Sequence, residues 1–245
     1  YSTKPTGSKD MERELDVYFP STGTETSPVL LFVHGGAWRT GDKAEHSWLA
    51  ENLAKQGFTV AVNNYRLSHK TENNGEPIIQ HPTHIVDTME AIEYLKSEYP
   101  GRKLFLVGHS AGAHIILSIA LKPQFQVKNI DGFVGVEGIY DIPLLLDTFP
   151  DYVDFIQQAF GKDSSKYKEA SVVDFKPAPV TSPISLLYSP EDELVDPGQH
   201  ESMEKFLRSE SIPVAVNTDL LDKHDECLKT VKLIELIKGF VQQHI

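Results

Sequence analysis

Residues 103–112 read Lys-Leu-Phe-Leu-Val-Gly-His-Ser-Ala-Gly, and this stretch decides the fold. Its apolar first half predicts a buried strand, and the almost wholly apolar segment 111–121 predicts a buried helix directly after it. Between them, Gly108-His109-Ser110-Ala111-Gly112 matches Gly-x-Ser-x-Gly, a tight strand-to-helix turn that exposes a strained serine as a nucleophile. An ordinary turn with a capping serine is the alternative. Because the strand and the helix that the motif requires are both predicted, we identify Ser110 as the candidate nucleophile.

Short apolar runs alternate with helical patterns on both sides of this turn. The runs predict strands at 28–33, 58–63, 103–107, 133–136, 184–188 and 213–217, and helices at 45–56, 83–97, 111–121 and 228–241. This alternation predicts an α/β fold with a mainly parallel central sheet and helices on both faces. We expect a single domain over residues 1–245. Residues 141–183 break the alternation with aromatic residues and prolines, and we expect there a small helical cap insertion over the sheet's ligand-binding edge.

Composition restricts the partners. The net charge of −12 argues against nucleic acid and against an anionic membrane surface, both of which require a basic face. The single cysteine, Cys227, excludes an intrachain disulfide. The apolar runs are too short to cross a bilayer, and no signal peptide is visible, so we expect a cytoplasmic protein. A small-molecule substrate fits these features, and the oligomeric state stays open, with a homodimer as one option.

A glycine pair follows the first strong strand. In His34-Gly35-Gly36-Ala37-Trp38, the glycines allow backbone N–H groups to point at a developing oxyanion. Together with the N–H of Ala111, at the start of the helix after the nucleophile, they predict an oxyanion hole. The alternative is a glycine turn with Trp38 as core packing. The serine motif about 75 residues later favours the oxyanion loop.

The base and the acid are sought in the order serine, acid, histidine along the chain. His224 lies between a late strand and the closing helix, so it is the candidate base. Four carboxylates follow the strand at 184–188, within residues 191–196. We choose Asp192 for its loop position, and Asp196 is the alternative.

Metal binding is the alternative interpretation of the histidines. His81-x-x-His84 is a pair at a loop–helix junction, but the sequence shows no third ligand near it and no His-Glu-x-x-His motif. We therefore expect neither a metal nor another cofactor.

At this point the motifs resemble a known family. His34-Gly-Gly-Ala-Trp38 and Gly108-His-Ser-Ala-Gly112 resemble the α/β-hydrolase superfamily and, within it, the kynurenine formamidase (arylformamidase) family of the fungal type. The resemblance extends over nearly the whole chain, through Asn64-Tyr65-Arg66-Leu67 and through Pro82, Asp87 and Ala91. It implies an α/β-hydrolase fold, a triad of Ser110, Asp192 and His224, and an oxyanion loop at residues 34–38.

The resemblance also implies a reaction, the hydrolysis of N-formyl-L-kynurenine to L-kynurenine and formate in tryptophan catabolism. Trp38, Arg39 and His109 are then candidate substrate contacts, with Trp38 over the substrate ring and Arg39 on its carboxylate. Arg66 is a weaker candidate, because a structural ion pair explains it more simply. A short-chain carboxylesterase of broad specificity is the alternative enzyme. A non-catalytic receptor of the same fold is disfavoured, because all three triad candidates are present.

Overall fold

Seven strands form one sheet in the computed structural model, which describes residues 11–23, 25–71 and 75–245. The strands are β1 (Leu15–Tyr18), β2 (Val29–Val33), β3 (Thr59–Asn63), β4 (Leu104–His109), β5 (Gly132–Val136), β6 (Ile184–Leu187) and β7 (Val214–Asn217). Their order is β1-β3-β2-β4-β5-β6-β7; β1 is antiparallel to β3, and every other pair is parallel. This confirms the mainly parallel sheet. Residues 1–10, 24 and 72–74 of the expected domain lie outside the described residues.

Helices cover both faces of the sheet. They are α1 (Ser47–Lys55), α2 (Thr83–Glu98), α3 (Ala111–Leu121), α4 (Ile142–Thr148), α5 (Val153–Phe160), α6 (Tyr167–Ala170), α7 (Pro197–Ser209) and α8 (Val231–Gln242). Alternate side chains of each strand enter opposite cores: in β4, Leu104 and Leu106 join α2, α3 and α7, whereas Phe105 and Val107 join α1 and α8. None of the described helices has the length and apolarity that crossing a bilayer requires.

The structure adds one strand to the predicted elements, defines a helix around His200 for which no bounds were predicted, and shortens α8. β1 pairs with β3 at the edge of the sheet, and its four residues are half-buried, so their hydrophobic pattern is weak. α7 is rich in polar residues and begins after Pro197, which suits the first turn of a helix. α8 begins at Val231, because the Thr230 side chain caps it by accepting a hydrogen bond from the N–H of Leu233.

Residues 141–183 contain the helices α4, α5 and α6, as the expectation of a helical insertion required. The side chain of Asp141 caps α4 by accepting from the N–H of Leu144. The insertion is tied to the loop after β6, because the hydroxyl of Tyr152 donates to the carbonyl oxygen of Leu194 at 3.1 Å. It therefore lies beside the carboxyl ends of the central strands.

Candidate active site

Ser110 sits at the sharp turn between β4 and α3. Its φ of +53° and ψ of −116° lie in a region that non-glycine residues rarely adopt, and the backbone is held there by a 2.9 Å hydrogen bond from its N–H to the carbonyl of Val136. The flanking glycines permit the close approach. A Cβ at Gly112 would lie 2.0 Å from the carbonyl oxygen of Val33, and a Cβ at Gly108 would lie 2.4 Å from that of Gly112. This is the strained geometry that the sequence motif predicts.

His224 pairs with Asp192. The Nδ1–H of His224 donates to Oδ2 of Asp192 at 2.7 Å, which leaves the Nε2 of His224 free to accept a proton. The other oxygen of Asp192 accepts from the N–H groups of Leu194 and Val195 at 2.8 and 3.0 Å. Burial disfavours the charged carboxylate, but the bonds from His224 and Val195 outweigh it, so the pKa of Asp192 is lowered. Asp192 is thus held as an anion beside the imidazole.

Asp196, the alternative acid, has a different role. Its Oδ1 accepts from the N–H of Gly198 at 2.8 Å and caps α7. Asp192 is therefore the carboxylate that orients His224.

The backbone of His224 is fixed from three sides. Its N–H donates to Oε2 of Glu193 at 3.1 Å, and its carbonyl accepts from Nε2 of His109 at 3.0 Å and from the thiol of Cys227 at 3.1 Å. Burial holds the pKa of His109 well below its usual range, so its ring is neutral. His109 thus supports the loop that carries His224.

The glycine loop lies against the nucleophile. Gly36, Ala37 and Trp38 have φ values of +90°, +51° and +58°, so three successive residues adopt the left-handed region. A Cβ at Gly35 would lie 3.0 Å from that of Ser110, which shows how closely the loop approaches. The helix α3 begins at Ala111, directly after Ser110. The N–H of Ala111 lies in the first turn of the helix, so it has no acceptor within the helix.

Tyr65 braces this loop, a role that the sequence did not reveal. Its hydroxyl lies 3.0 Å from the carbonyl oxygens of both His34 and Gly35, and its ring stacks on that of His34 at 4.5 Å. The available signal was its place in Asn64-Tyr65-Arg66, directly after β3.

One cavity brings these groups together. It is lined by Ser110, His224, Gly36, Ala37, Arg39, Tyr152 and Phe155, among others. Arg39 donates from Nη1 to Oδ2 of Asp154 at 2.9 Å, and its guanidinium carbon lies 5.5 Å from the centre of the Phe155 ring. The cavity thus brings together a serine hydroxyl, an imidazole, the glycine loop and a cationic side chain.

Comparisons with known proteins show the family of this chain. The family BD-FAE matches residues 15–207. A kynurenine formamidase of Meyerozyma guilliermondii is 32% identical, over 94% of this chain and 90% of that protein. Another, of Eremothecium gossypii, is 30% identical, over 87% of this chain and 93% of that protein. This chain belongs to the kynurenine formamidase family of α/β hydrolases.

Two solved structures with the same fold are esterases. A truncated carbohydrate esterase from gut microbiota has a TM-score of 0.79 and 17% identity to this hydrolase, covering 97% of this chain and 93% of that one. Esterase B of Lactobacillus rhamnosis has a TM-score of 0.76 and 19% identity, covering 97% and 81%. At these identities the likeness shows the fold.

Two of the expected substrate contacts in this hydrolase require correction. Trp38 is fully buried, and its ring packs edge-on against Phe160 at 4.8 Å and His114 at 5.1 Å, so the Trp38 side chain is a core group. His109 is buried as well, and its Nε2 donates to the backbone carbonyl of His224 as described above. Neither ring is exposed to a ligand in the cavity.

Arg66 forms the structural ion pair expected of it. Its Nε and Nη2 donate to both oxygens of Asp87, with a shortest distance of 2.6 Å, and the Asp87 side chain is fully buried. Arg39 is thus the candidate cation that lines the cavity of this hydrolase.

The histidine pair considered for metal binding lies elsewhere. His84 is buried, with Nε2 at 2.9 Å from the Ser68 hydroxyl, and the ring of His81 contacts that of Phe160 at 5.2 Å. Within residues 11–23, 25–71 and 75–245, the group whose ligand atoms lie close enough to hold an ion is His109, His224 and Asp225. It shares His224 with the Asp192 pair, so an ion there would occupy the base.

Proposed function

We propose that this hydrolase cleaves N-formyl-L-kynurenine to L-kynurenine and formate, the substrate that the names of its curated relatives suggest. The observation that carries the proposal is the 2.7 Å contact between His224 and Asp192, with His224 lining the same cavity as the strained Ser110. A serine, an imidazole and a buried carboxylate in these roles are the requirements for acyl transfer.

Acylation begins at Ser110. The Oγ atom attacks the formyl carbon while Nε2 of His224 takes the hydroxyl proton, and Asp192 stabilises the imidazolium. The carbonyl electrons move to oxygen, and in this proposal the N–H groups of Gly35 or Gly36 and of Ala111 stabilise the oxyanion. When the oxyanion collapses, the C–N bond breaks and the leaving arylamine takes the proton from His224. The product is a formyl ester of Ser110.

Deacylation follows the same route with water. His224 removes a proton from water, and the resulting hydroxide adds to the formyl carbon. The second oxyanion collapses, the bond to Oγ breaks, and Oγ takes its proton back from His224. Formate leaves, and Ser110 and His224 return to their starting states.

Specificity in this proposal comes from the leaving group, because a formyl group offers few contacts. Arg39 pairs with the substrate carboxylate, and its side chain is one-third exposed inside the cavity. Phe155 and Tyr152, from the cap insertion, offer ring surfaces to the aryl group. Asp154, which already accepts hydrogen bonds from Arg39 and Lys70, holds the guanidinium in place.

The first test is turnover of N-formyl-L-kynurenine, followed by the absorbance of kynurenine. Wild-type protein converts the substrate, and Ser110→Ala does not, although it still binds it. Unchanged turnover in Ser110→Ala contradicts the triad. Cleavage of p-nitrophenyl acetate without conversion of formylkynurenine keeps the triad and favours the short-chain carboxylesterase.

Arg39→Gln tests the substrate contact. Loss of a charge-assisted hydrogen bond corresponds to about 10- to 100-fold in kcat/KM for formylkynurenine, mainly through KM. Cleavage of p-nitrophenyl acetate, which has no carboxylate, stays near the wild-type rate. Arg208→Gln is the matched control, since Arg208 pairs with Glu204 on the exposed side of α7. Equal losses on both substrates in Arg39→Gln contradict carboxylate recognition by Arg39.

A further inference from the structure

Glu137 is a buried carboxyl group that the mechanism above does not use. It directly follows β5, at the carboxyl edge of the sheet, and its N–H donates to the carbonyl of Leu187 at 3.0 Å. Only 1% of the residue is exposed, and its φ of +48° lies in the left-handed region, which is unfavourable for a side chain of this kind. A strained and buried acid at this edge calls for a physical explanation.

The surroundings of Glu137 do not suit a negative charge. Neither carboxyl oxygen has a well-formed hydrogen bond to an N–H or O–H donor within the part of the chain that the structure describes. The backbone of Ser189 faces the carboxyl without reaching that geometry. The titratable groups that face Glu137 are Asp192 and Glu193 in the loop after β6, Tyr188 at the end of β6, Tyr140 after β5, and Cys227 below His224. All of these groups are acids or weak acids.

The side chain of Asp192, which is fully buried, faces the Glu137 carboxyl group and is its side-chain hydrogen-bond partner. Two carboxylates in contact cannot both be ionised at low energy, so one of the two must hold a proton. Asp192 already accepts hydrogen bonds from His224, Leu194 and Val195, and each of these favours its charged form. The proton therefore resides on Glu137, whose oxygens lack such donors.

We propose that Glu137 is a positioning residue whose protonated carboxyl group donates a hydrogen bond to Asp192 and fixes the carboxylate that orients His224. The proposal rests on the triad of the proposed function. A neutral acid supplies a donor without a positive charge, so the Glu137–Asp192 pair keeps a single negative charge to balance the imidazolium of the transition state. An apolar residue at position 137 would leave Asp192 without this donor.

The direction of titration agrees with this arrangement. Burial, then the hydrogen bond and the charge of Asp192, raise the pKa of Glu137 from an ordinary value of 4.5 to about 9. Glu137 is therefore neutral through physiological pH. It ionises only above about pH 9, where a second negative charge would repel Asp192.

Two substitutions at position 137 distinguish loss of the hydrogen-bond donor to Asp192 from a change in side-chain packing. In Glu137→Gln, the amide keeps an N–H donor, and we expect kcat on p-nitrophenyl acetate within about threefold of the wild type. In Glu137→Leu, the donor is lost, and we expect kcat to fall about 10- to 100-fold with KM little changed. The matched control is Glu191→Gln, an exposed acid in the same loop as Asp192, for which we expect wild-type kcat. Wild-type kcat in Glu137→Leu overturns the proposal.

The pH profile is the second readout. Wild-type kcat/KM falls above about pH 9 as Glu137 ionises, and this alkaline decrease is absent in Glu137→Gln because the amide does not titrate. A decrease of the same size in both proteins overturns the proposal, whatever the stability of the variants.

Infrared spectroscopy tests the proton without any substrate. At pH 7, the wild type minus Glu137→Gln difference spectrum contains the carbonyl band of a protonated carboxylic acid, and the band is lost at pH 10. A difference spectrum at pH 7 that contains a carboxylate band of Glu137 in place of the protonated carbonyl band overturns the proposal. Because this measurement needs no turnover, it separates failure of the Glu137 assignment from failure of the proposed substrate.

Discussion

At the scale of single residues, Asp192 and Asp196 lie four positions apart, but they contact different partners. Asp192→Asn keeps the shape but presents an amide to Nδ1 of His224, which favours the wrong tautomer. We expect kcat to fall by on the order of 10³–10⁴. Asp196→Asn keeps a good helix cap, so we expect wild-type kcat and little change in stability. Steady-state kinetics on p-nitrophenyl acetate distinguish the two, and the reverse order of losses contradicts the triad described above.

The positions of Ser110, Asp192 and His224 in the fold could be predicted because their signals are local. Ser110 belongs to a five-residue motif, and His224 and Asp192 follow from chain order and loop position. Glu137 and Tyr65 could not be predicted in the same way. Their roles depend on contacts with segments more than 25 residues away, and an isolated Glu or Tyr after a strand is most simply interpreted as a surface or core residue.

The predicted contacts of Trp38 and His109 failed for a related reason. Both residues lie within catalytic motifs, so the sequence places them near the reaction. Whether a side chain in a motif faces the cavity or the core depends on the local backbone, and the left-handed φ of Trp38 was not visible in the sequence. The motifs predicted that Trp38 and His109 lie near Ser110, but the structure was needed to show which way their side chains point.

At the scale of elements, the approach of α3 to β2 depends on Gly112. In Gly112→Ala, the new Cβ would lie 2.0 Å from the carbonyl oxygen of Val33, so the helix and the strand must separate. We expect a loss of about 3 kcal/mol or more, or about 6–12 °C in Tm for a chain of this size. Gly239→Ala is the matched control, because a Cβ there meets nothing within 4 Å. In the middle of α8 it should raise Tm by about 2–4 °C.

Thermal unfolding followed by circular dichroism measures both changes. An unchanged Tm in Gly112→Ala would show that α3 can shift without loss of stability, and would contradict a requirement for glycine at this contact.

Which elements could be predicted from the sequence depended on their hydrophobic pattern. Long apolar or periodic segments such as α3 were predictable, whereas the half-buried β1 and the polar α7 are defined by their packing on neighbouring elements.

At the scale of the whole molecule, buried and half-buried histidines dominate the response to acid. Burial is the largest cause in every case. It lowers the pKa of His34, His46 and His81 to about 4 and that of His84 to about 3. It also holds the pKa values of His109 and His114 well below their usual range. These six rings are neutral in the folded protein over a pH range in which exposed imidazoles are charged.

We expect stability to fall as the pH drops below about 6.5, because the unfolded chain then binds more protons than the folded one. Each of these six histidines adds about 1.4 kcal/mol per pH unit to this dependence until its folded-state pKa is reached, so Tm should decrease steeply between about pH 6.5 and 5. Calorimetry at pH 5 in buffers of different ionisation enthalpy measures the protons taken up on unfolding. His84→Gln should reduce that number by about one, because the ring of His84 is neutral in the folded protein and charged in the unfolded chain at this pH. A Tm that stays constant from pH 7 to 5 would contradict the neutral, buried state of these rings.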